Sequence, residues 1–500
     1  MFSTIHIKND GKIDGLIDVL LKSPNLGEVV KKINLSIYTV TTKEDAREYL
    51  KLAKLTPNLT SIETEKDQPN LYETVLQNIQ LGYWKHLHSI GCFEILLPYQ
   101  QRRISPSYMA LAVALQDRLS HVMFDLTLDP SSKHTRHPLG IANLTPFNAA
   151  KSLVCLSKGQ TSMKLLDRAI TLCPYATKVT LNTDDLVSDT LTNIKPSTHV
   201  EDLVFISDGL TETYLSYISR KFPNVRTLIL RHRNSEEHDF YFDFLSGIKD
   251  DQIVRFVKSN GKLRLVIEAV HYMMDLFSSF ASVRWQGEMS VRFKENFFEL
   301  NYDQSKPDKL ELDMDSYLQD YDHTVSIIAN FLGSLDVLSL KCIKRSHYKL
   351  LSHCRQLKTL CTGIVAHYNG PQLPITRLEL SECVRQDELE HFTTFTPHLK
   401  DVASFVAPYS DNSIHLPSFS LDSFCLTEHY DADEDPVYIC LIRSEVKTYY
   451  RFFNFQLREA DASEYNEQKS KMDVGRVELT CKDVKRLELF KKRFFVKQEK

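Results

Sequence analysis

One arrangement of apolar and polar positions recurs along most of this chain. Apolar residues occupy the first, fourth and sixth positions of a short window, as Val225, Leu228 and Leu230 do. Successive side chains of a β-strand point to opposite faces, so the fourth and sixth positions share one face. Each window therefore predicts a short strand with one buried face and one outward face.

Fourteen such windows follow one another in order. They begin at Phe2, Val30, Leu59, Leu87, Leu119, Ala150, Ala176, Val200, Val225, Leu335, Leu357, Ile375, Leu399 and Leu421. The steps are 24 to 32 residues up to Val225 and 18 to 24 residues after Leu335. Three windows have a polar sixth position, at Thr64, Thr362 and Ser404. Because single windows arise easily by chance, the regular spacing is what indicates a repeat.

The residues before each strand predict a helix and a stop. Residues 165–172 (LLDRAITL) have the apolar spacing of a short amphipathic helix, and Pro174 ends it before the strand 176–181. Residues 215–222 and Pro223 repeat that order before the next strand. A helix and a strand that return every 24 or 25 residues have the period of a leucine-rich repeat. One such unit cannot bury its apolar face alone, so the units must stack.

The sequence thus predicts a curved α/β leucine-rich-repeat solenoid, with parallel strands on the concave face and helices on the convex face. We assign residues 1–430 to this solenoid, with irregular repeats over 235–334. In that irregular part only 263–268 and 297–302 predict strands, and 231–239 (RHRNSEEHD) predicts a solvated loop.

The last part of the chain has a different character. We assign residues 431–500 to a strand-rich cap with a basic tail, because an open solenoid end needs its last core layer covered. Strands are predicted within 446–457, 474–481 and 484–489. For the tail, 482–500, we favour a frayed amphipathic terminus over a nuclear-import signal or a contact with an anionic surface.

Composition bears on the compartment more than on the activity. A hydrophobic content of 42%, a charged content of 25% and a net charge of -4 predict no general attraction to nucleic acid or to a membrane. Ten cysteines without a CxxC pair indicate reduced core residues, Cys92 and Cys155 among them, in a cytoplasmic or nuclear protein. Neither a membrane-spanning run nor a secretory signal peptide is visible.

Candidate chemistry is sparse. His121 and Asp125 have the HxxxD spacing of some acyltransferases, but both fall on outward strand positions, where we expect a surface role and ordinary titration. Two histidine pairs, His86 with His88 and His134 with His137, lack a further ligand at a recognised spacing and are expected to be solvated.

Phosphate-binding, hydrolase and zinc-protease motifs are also missing from the sequence, which has no GxGxxG, GxxxxGK, GxSxG or HExxH. We therefore expect a protein that is not an enzyme and that carries no metal and no organic cofactor.

The buried and outward positions can be assigned residue by residue. The buried positions are expected to form an inward column of Ile33, Leu181, Leu203, Phe205, Leu228, Leu230, Leu338, Leu378 and Leu380. The outward positions, which line the concave face, are expected to bind a protein partner through Lys178, Thr180, Asp202, Val204, Thr227, Ile229, Arg231, Val337, Ser339, Lys341, Arg377 and Glu379.

With the repeat established, the chain resembles the leucine-rich-repeat region of fungal F-box proteins. The resemblance lies in 23–27 with 30–33 (SPNLG and VKKI), Thr56-Pro57-Asn58-Leu59, 83–87 (YWKHL), 166–174 (LDRAITLCP) and 221–225 (KFPNV). It implies a substrate-recruiting module of a cullin-based ubiquitin ligase. A Skp-type adaptor is expected only if an F-box, not visible in this sequence, lies upstream.

A second class of function stays open on the same repeat. The solenoid is also similar in plan to the GTPase-activating leucine-rich-repeat proteins, which modulate a partner without a catalytic pocket of their own. That interpretation implies no link to ubiquitin. An F-box upstream of Met1, or copurification of a Skp-type adaptor, would separate the two.

Overall fold

The structure is a computed structural model with a mixed α/β fold. It divides into two compact units, Met1–His271 (unit 1) and Tyr272–Lys500 (unit 2). The structure describes residues 3–7, 12–35, 43–64, 68–92, 104–126, 141, 144–157, 160–183, 185–187, 194–207, 209, 211–232, 250–268, 280, 283, 285–294, 297–314, 331–343, 347–365, 368–381, 386–405, 411–427, 436–443, 445–453, 456–468, 475–489 and 492–495.

Unit 1 alternates short strands with helices. Its elements are β1 (Thr4–Ile7), α1 (Lys12–Lys22), α2 (Pro24–Val29), β2 (Lys32–Leu35), α3 (Lys43–Leu55), β3 (Ser61–Thr64), α4 (Pro69–Gln80), β4 (Ser89–Cys92), α5 (Pro106–Ala114), β5 (His121–Asp125), β6 (Ser152–Leu156), β7 (Gln160–Ser162), α6 (Met163–Thr171), β8 (Lys178–Asn182), β9 (Asp185–Val187), β10 (Asp202–Ser207), α7 (Glu212–Lys221), β11 (Thr227–His232), α8 (Asp250–Ser259) and β12 (Lys262–Glu268). Two parallel sheets run in the orders β1-β2-β3-β4 and β5-β6-β8-β10-β11-β12, and β7 pairs with β9.

Unit 2 contains two sheets. Its elements are β13 (Glu288–Lys294), β14 (Phe297–Asp303), β15 (Lys309–Met314), β16 (Val337–Ile343), α9 (His347–His353), β17 (Thr359–Val365), β18 (Arg377–Leu380), α10 (Gln386–Thr393), β19 (Asp401–Phe405), β20 (Asp411–Leu421), β21 (Ser423–Thr427), β22 (Val437–Arg443), β23 (Val446–Phe453), β24 (Gln456–Ala460), α11 (Ala462–Gln468), β25 (Gly475–Val484), β26 (Arg486–Leu489) and β27 (Lys492–Phe495). The orders are β14-β13-β15-β16-β17-β18-β19-β21-β26-β27 and β20-β25-β22-β23-β24. In the first sheet, β14 and β27 run antiparallel to their neighbours.

The strand predictions are confirmed with one systematic shift. In every one of the fourteen windows a strand begins at the third position, as β11 does at Thr227 in the window from Val225. In the window from Val225 the first position belongs instead to the preceding turn, where the Val225 N–H donates to the Phe222 carbonyl at 3.4 Å. Its side chain is nevertheless in the core, since Val225 is only 2% exposed.

A repeated hydrogen-bond pattern joins consecutive strands at their first residues. The Lys151 carbonyl accepts from the N–H groups of Thr177 and Lys178, at 2.9 and 3.1 Å. The Thr177 carbonyl accepts likewise from Glu201 and Asp202, at 2.8 and 3.0 Å. In unit 2 the accepting carbonyls are those of Asp336, Lys358, Thr376 and Lys400. Each strand is thereby fixed in register with the one before it.

The two helices predicted most clearly from sequence also form. Leu166, Ala169 and Ile170 give α6 a buried face at the three- and four-residue spacing of a helix. The Ser162 side chain accepts from the Lys164 N–H at 3.2 Å and thereby caps its first turn. Helix α7 begins in the same way at Thr211. These helices bring the chain back to the same edge for the next parallel strand.

The predicted inward column is buried. All nine residues assigned to it are at most 4% exposed, and Leu228 is fully buried. Burying one large aliphatic side chain contributes about 1.5 to 3 kcal/mol. The polar sixth positions point inward as well: Thr64 is 1% exposed and its hydroxyl donates to the Gly91 carbonyl at 3.3 Å. A hydroxyl can therefore replace an aliphatic group here because a backbone acceptor lies within reach.

The turns before the strands contact the preceding repeat. The Asn58 amide donates to the Glu28 carbonyl at 2.9 Å, and the Asn224 amide donates to the Thr198 carbonyl at 2.8 Å. Trp84, buried and at a φ of 47°, donates from Nε1 to Thr56 Oγ1 at 3.1 Å. The residues that carry the sequence resemblance thus include side chains that bind one repeat to the next.

Two sequence predictions are wrong. Arg231 and His232 were placed in a solvated loop but form the end of β11, and residues 233–249 lie outside the described residues. The tail is not a frayed terminus over the described residues 482–489 and 492–495, because β26 and β27 pair there in antiparallel fashion. Each of these segments has backbone partners on a neighbouring strand, which its charged composition did not indicate.

The irregular region is partly as predicted. The strands expected at 263–268 and 297–302 are present as β12 and β14. The strands expected in the last part of the chain also form, as β23 to β26. The sequence did not indicate β13 or β15, since neither falls in a window of the regular series.

A buried ion pair joins α6 to α7. Lys221 is only 1% exposed, and its Nζ lies 2.7 Å from Asp167 Oδ1 and donates to the Lys195 carbonyl at 3.0 Å. The Tyr217 hydroxyl donates to the same Asp167 oxygen at 3.2 Å. Burial, followed by the Asp167 charge, raises the Tyr217 pKa, so this hydroxyl stays protonated as a donor.

We predict that Leu228→Asp destabilises unit 1 by at least about 3 kcal/mol, because it removes buried apolar area and buries an unpaired carboxylate. Urea unfolding followed by circular dichroism measures this. Thr227→Asp, which lies on the outward face of the same strand, is the control and should have a much smaller effect. Equal stability of Leu228→Asp and wild type would contradict the assignment of this column to the core.

We also predict that Lys221→Met costs about 3 kcal/mol of stability, because it leaves the Asp167 carboxylate without its cation. The double variant Lys221→Met with Asp167→Leu should recover most of that loss, since both charges are then removed together. A double-mutant cycle of urea midpoints measures the coupling. Additive single effects would show that the two side chains do not act as a pair.

Candidate functional site

The outward face of unit 1 brings the predicted residues together in register. On β8, β10 and β11, each outward position faces its equivalent on the next strand. The rows are Lys178–Asp202–Thr227, Thr180–Val204–Ile229 and Asn182–Ile206–Arg231. All seven site residues predicted for unit 1 therefore lie on three neighbouring strands, about 4.8 Å apart.

Their exposure differs within the rows. Lys178 and Asp202 are exposed, and Val204 and Ile229 are half-buried, as are Thr227 and Arg231. Thr180 is only 6% exposed, so its prediction as a contact residue is wrong. The threonine lies in register between Val154 and Val204, and side chains at this spacing cover one another.

The middle row extends beyond the predicted residues. In register with Thr180, Val204 and Ile229 are three further apolar residues that the sequence analysis missed: Met123, Val154 and Val266. They are 1%, 1% and 8% exposed, so the row is covered at its ends and most open at Val204 and Ile229. The sequence did contain a signal for Met123 and Val154. Each is an apolar residue at an outward strand position, with an apolar residue on either side, as in a strand that is buried on both faces.

In unit 2 the predicted residues occupy two strands with a third between them. Val337 and Ser339 of β16 pair through Thr359 and Cys361 of β17 with Arg377 and Glu379 of β18. Arg377 Nε lies 2.6 Å from Glu379 Oε1, and the Cys361 thiol lies 3.2 Å from Glu379 Oε2. Lys341 is exposed farther along β16. These two rows are mostly polar.

A second set of paired charges lies on the outward face of the same sheet. Arg292 Nε is 3.0 Å from Asp313 Oδ2, and its Nη1 is 3.5 Å from Glu299 Oε2. The sequence analysis missed these residues because β13 and β15 lie outside the regular series of windows. Arg292 thus lies between two carboxylates, and one arginine with two carboxylates leaves the group with an excess of one negative charge.

His121 and Asp125 do not form a catalytic pair. Both lie on the outward face of β5, where residues four apart are separated by about 13 Å. Asp125 is 8% exposed and accepts from the Ile104 N–H at 3.2 Å. The histidine base and its partner therefore cannot meet within this strand.

The expectation that His121 titrates normally is wrong. Burial, followed by the positive charge of Lys178, lowers the His121 pKa to about 4. His121 is the first residue of β5, and its side chain is half-buried. The imidazole is therefore neutral at physiological pH, and its protonation opposes folding.

The other reactive side chains are either solvated or inert. His86 is exposed, and His88 Nδ1 lies 3.4 Å from Ser120 Oγ at the surface. His134 and His137 lie outside the described residues. Within the described ranges, no three histidine, cysteine or carboxylate side chains are grouped as a metal site requires.

Burial raises the pKa of several of the described thiols, which keeps them protonated. Burial raises the pKa of both Cys173 and Cys354 to about 12, and burial followed by the Glu379 charge raises that of Cys361. Cys155 is fully buried, and the side chain of Cys92 lies outside the described residues. Low-pKa thiolates are what thiol catalysis and metal binding use, so these cysteines suit packing.

Comparison with known proteins gives no family. No protein-family model matches the sequence, and a search of curated proteins finds no match. Over the described residues, none of the helices has the length and apolar character needed to cross a membrane.

We predict that the stability of this protein falls between pH 6.5 and 4 through His121, whose folded pKa lies below its unfolded value. In that window the unfolded chain binds a proton that the folded chain does not, so stability is full above pH 6.5 and is lost on acidification. The loss should be about 2 kcal/mol for this half-buried ring.

The measurement is the difference in unfolding free energy between wild type and His121→Gln at pH 7 and at pH 4.5. The variant should lack this part of the pH dependence, whereas His86→Gln, at an exposed position, should retain it. Parallel pH profiles for wild type and His121→Gln would contradict the lowered pKa.

Proposed function

We propose that this chain is a leucine-rich-repeat solenoid that acts as a non-catalytic protein-binding scaffold. The repeat is supported by the recurring carbonyl that accepts from two successive N–H groups, and by β8, β10 and β11 starting 24 and 25 residues apart. Helix α7 occupies the connection between the parallel strands β10 and β11, as a parallel crossover requires. Stacked units of this kind present a row of outward strand positions to a partner.

The observation that carries the binding proposal is the pair Val204 and Ile229. Both are half-buried on an outward strand face, and they are bordered by the charged side chains of Lys178, Asp202 and Arg231. Apolar side chains gain nothing from facing water, but they can anchor a partner when charged groups surround them. The same face offers no convergent base and nucleophile, since His121 and Asp125 are apart.

Within this function we propose recruitment of a protein substrate to a cullin-based ubiquitin ligase. Support comes from the turn motifs shared with the F-box family, such as Thr56-Pro57-Asn58-Leu59, whose side chains bind the neighbouring repeat. The outward strand face would hold the target, and a Skp-type adaptor would bind an F-box if one precedes these repeats. The alternative, regulation of a GTPase, uses the same face with a different partner.

We predict that Ile229→Glu with Arg231→Glu weakens binding of the principal protein partner at least tenfold. The change places two carboxylates on the anchor row and leaves the opposite, buried face of β11 intact. Affinity purification of the chain from its own cells, with quantitative mass spectrometry, identifies the partner. Titration of that partner against purified wild type and variant then measures the affinity.

The matched control is Lys164→Glu with Arg220→Glu, which introduces two carboxylates at exposed positions of α6 and α7. It should bind as wild type does. If the strand-face variant binds unchanged, the proposed surface is wrong. Copurification of a Skp-type adaptor supports the ligase role, whereas a GTPase as the principal partner supports the alternative. If the purified protein shows catalytic turnover and His121→Ala abolishes it, the protein is an enzyme and the scaffold proposal is wrong.

A further inference from the structure

The turns that lead into β4, β5, β6 and β8 of unit 1 form a surface that we call the basic edge. Histidine aside, its charged side chains are four cations and one carboxylate. They are Lys85, Arg118, Lys151 and Lys178 with Asp117, within 82–89, 116–121, 147–152 and 173–178. The edge thus has an excess of three positive charges, in a chain whose net charge is -4. Such a concentration of one sign attracts a partner of the opposite sign.

Backbone hydrogen bonds hold these turns side by side. The Ser120 N–H donates to the His88 carbonyl at 2.7 Å, and the Lys151 N–H donates to the Ser120 carbonyl at 2.8 Å. The Lys178 N–H in turn donates to the Lys151 carbonyl at 3.1 Å. Adjacent strands are about 4.8 Å apart, so the three steps from β4 to β8 cover about 14 Å. That is the length of about four extended residues of a ligand chain.

The lysines of the basic edge are not neutralised by the protein. Lys85, Lys151 and Lys178 are all exposed, and none of them forms an ion pair with a residue that the structure describes. After burial, the charge of Lys178 is the second cause that lowers the His121 pKa, as expected of an ammonium group without a counter-ion. A carboxylate from a ligand can therefore pair with these lysines without displacing a carboxylate of the protein.

The neighbouring strands mark the limits of the basic edge. On one side, the turn 57–61 (PNLTS) before β3 has no charged residue. On the other side, β10 brings the exposed Asp202 into register with Lys178, and Glu201 Oε2 lies 3.4 Å from Arg226 Nη1. An acidic segment is repelled by these carboxylates, so it lies over β4 to β8 and does not continue across β10.

An exposed aromatic side chain lies within the basic edge. Tyr175, in the turn before β8, is 47% exposed, and its ring meets that of His199 edge to face with 5.4 Å between the centroids. Tyrosine is enriched among the residues that contribute most to protein interfaces, because its rigid ring offers a large contact area. Tyr175 precedes Lys178 by three residues in the same turn, so a partner that covers the ring also reaches the lysine.

We propose that the protein partner of this scaffold binds the basic edge through a short acidic segment. Its carboxylates pair with Lys85, Lys151 and Lys178, and an apolar side chain of the segment covers Tyr175. This inference rests on the proposed scaffold function, because the basic edge adjoins the strand face that carries Val204 and defines the chemistry of the partner bound there.

A nucleic acid is less suited to this surface. The affinity of proteins for nucleic acids comes from many phosphate contacts, and an edge about 14 Å long has room for only a few. The chain as a whole is negatively charged, and the carboxylates of Glu201 and Asp202 close the edge at β10. A short acidic protein segment fits within both limits.

The test is fluorescence anisotropy with the full chain and labelled heptapeptides. Gly-Glu-Glu-Leu-Glu-Glu-Gly should bind at least tenfold more tightly than Gly-Gln-Gln-Leu-Gln-Gln-Gly, because only the first can pair with the lysines. Raising the salt concentration should weaken binding of the glutamate peptide and leave that of the glutamine peptide unchanged. A labelled single-stranded RNA of ten uridines, measured in the same way, should bind more weakly than the glutamate peptide.

Variants of the protein test the location. Lys151→Glu with Lys178→Glu should weaken binding of the glutamate peptide at least tenfold, and Tyr175→Ala should weaken it about tenfold. All three side chains are exposed, so the fold should tolerate these changes. Lys164→Glu with Arg220→Glu makes the same change of charge at exposed positions of α6 and α7 and should bind the peptide as wild type does. Circular dichroism checks that each variant is folded.

Several results would overturn the inference: no binding of the glutamate peptide, equal binding of the glutamine peptide, tighter binding of the RNA, or binding unaffected by Lys151→Glu with Lys178→Glu. These outcomes differ from failure of the proposed function. If Ile229→Glu with Arg231→Glu leaves the principal partner bound, the strand face is wrong while the peptide result stands. If the glutamate peptide does not bind but that variant loses its partner, the scaffold stands and the basic edge has no role in it.

Discussion

The shared backbone carbonyl at the start of most strands of the regular series is the interaction on which the rest of this structure depends. One carbonyl accepts from two successive N–H groups of the next repeat, as the Lys151 carbonyl does from Thr177 and Lys178. The bonds satisfy polar groups that would otherwise be buried unpaired, and they set where the next strand begins. Because these bonds fix the register, the inward positions of neighbouring strands share one buried face, even though the spacing between the strands varies along the chain.

Register also decides which outward side chains become neighbours. Thr180, Val204 and Ile229 come from segments about 25 residues apart in sequence, yet they form one row. The row is covered where Met123 and Val154 continue it and more open at Ile229. The strand register alone thus places the apolar side chains of Val204 and Ile229 beside charged ones.

The two candidate surfaces differ in how they are built. In unit 1 Val204 and Ile229 lie on the outward face of regular parallel strands, beside the exposed side chains of Lys178 and Asp202. The basic edge consists instead of the turns that lead into β4, β5, β6 and β8, and each turn contributes one cation. The shared carbonyls bring these turns together, as the Lys151 carbonyl does by accepting from Lys178. Turns that a rigid scaffold positions often carry binding residues.

The sequence by itself determined the strands of the fourteen windows and the buried column, because alternation and spacing are local properties that each window shows again. It placed Leu203, Leu228 and their equivalents correctly, and it placed all fourteen strands within two residues. Only the tertiary structure decided that Thr180 is covered, that Lys221 is buried against Asp167, and that β14 turns back against β13. Those outcomes depend on contacts between residues far apart in the chain, whose side-chain burial and charge pairing no local pattern specifies.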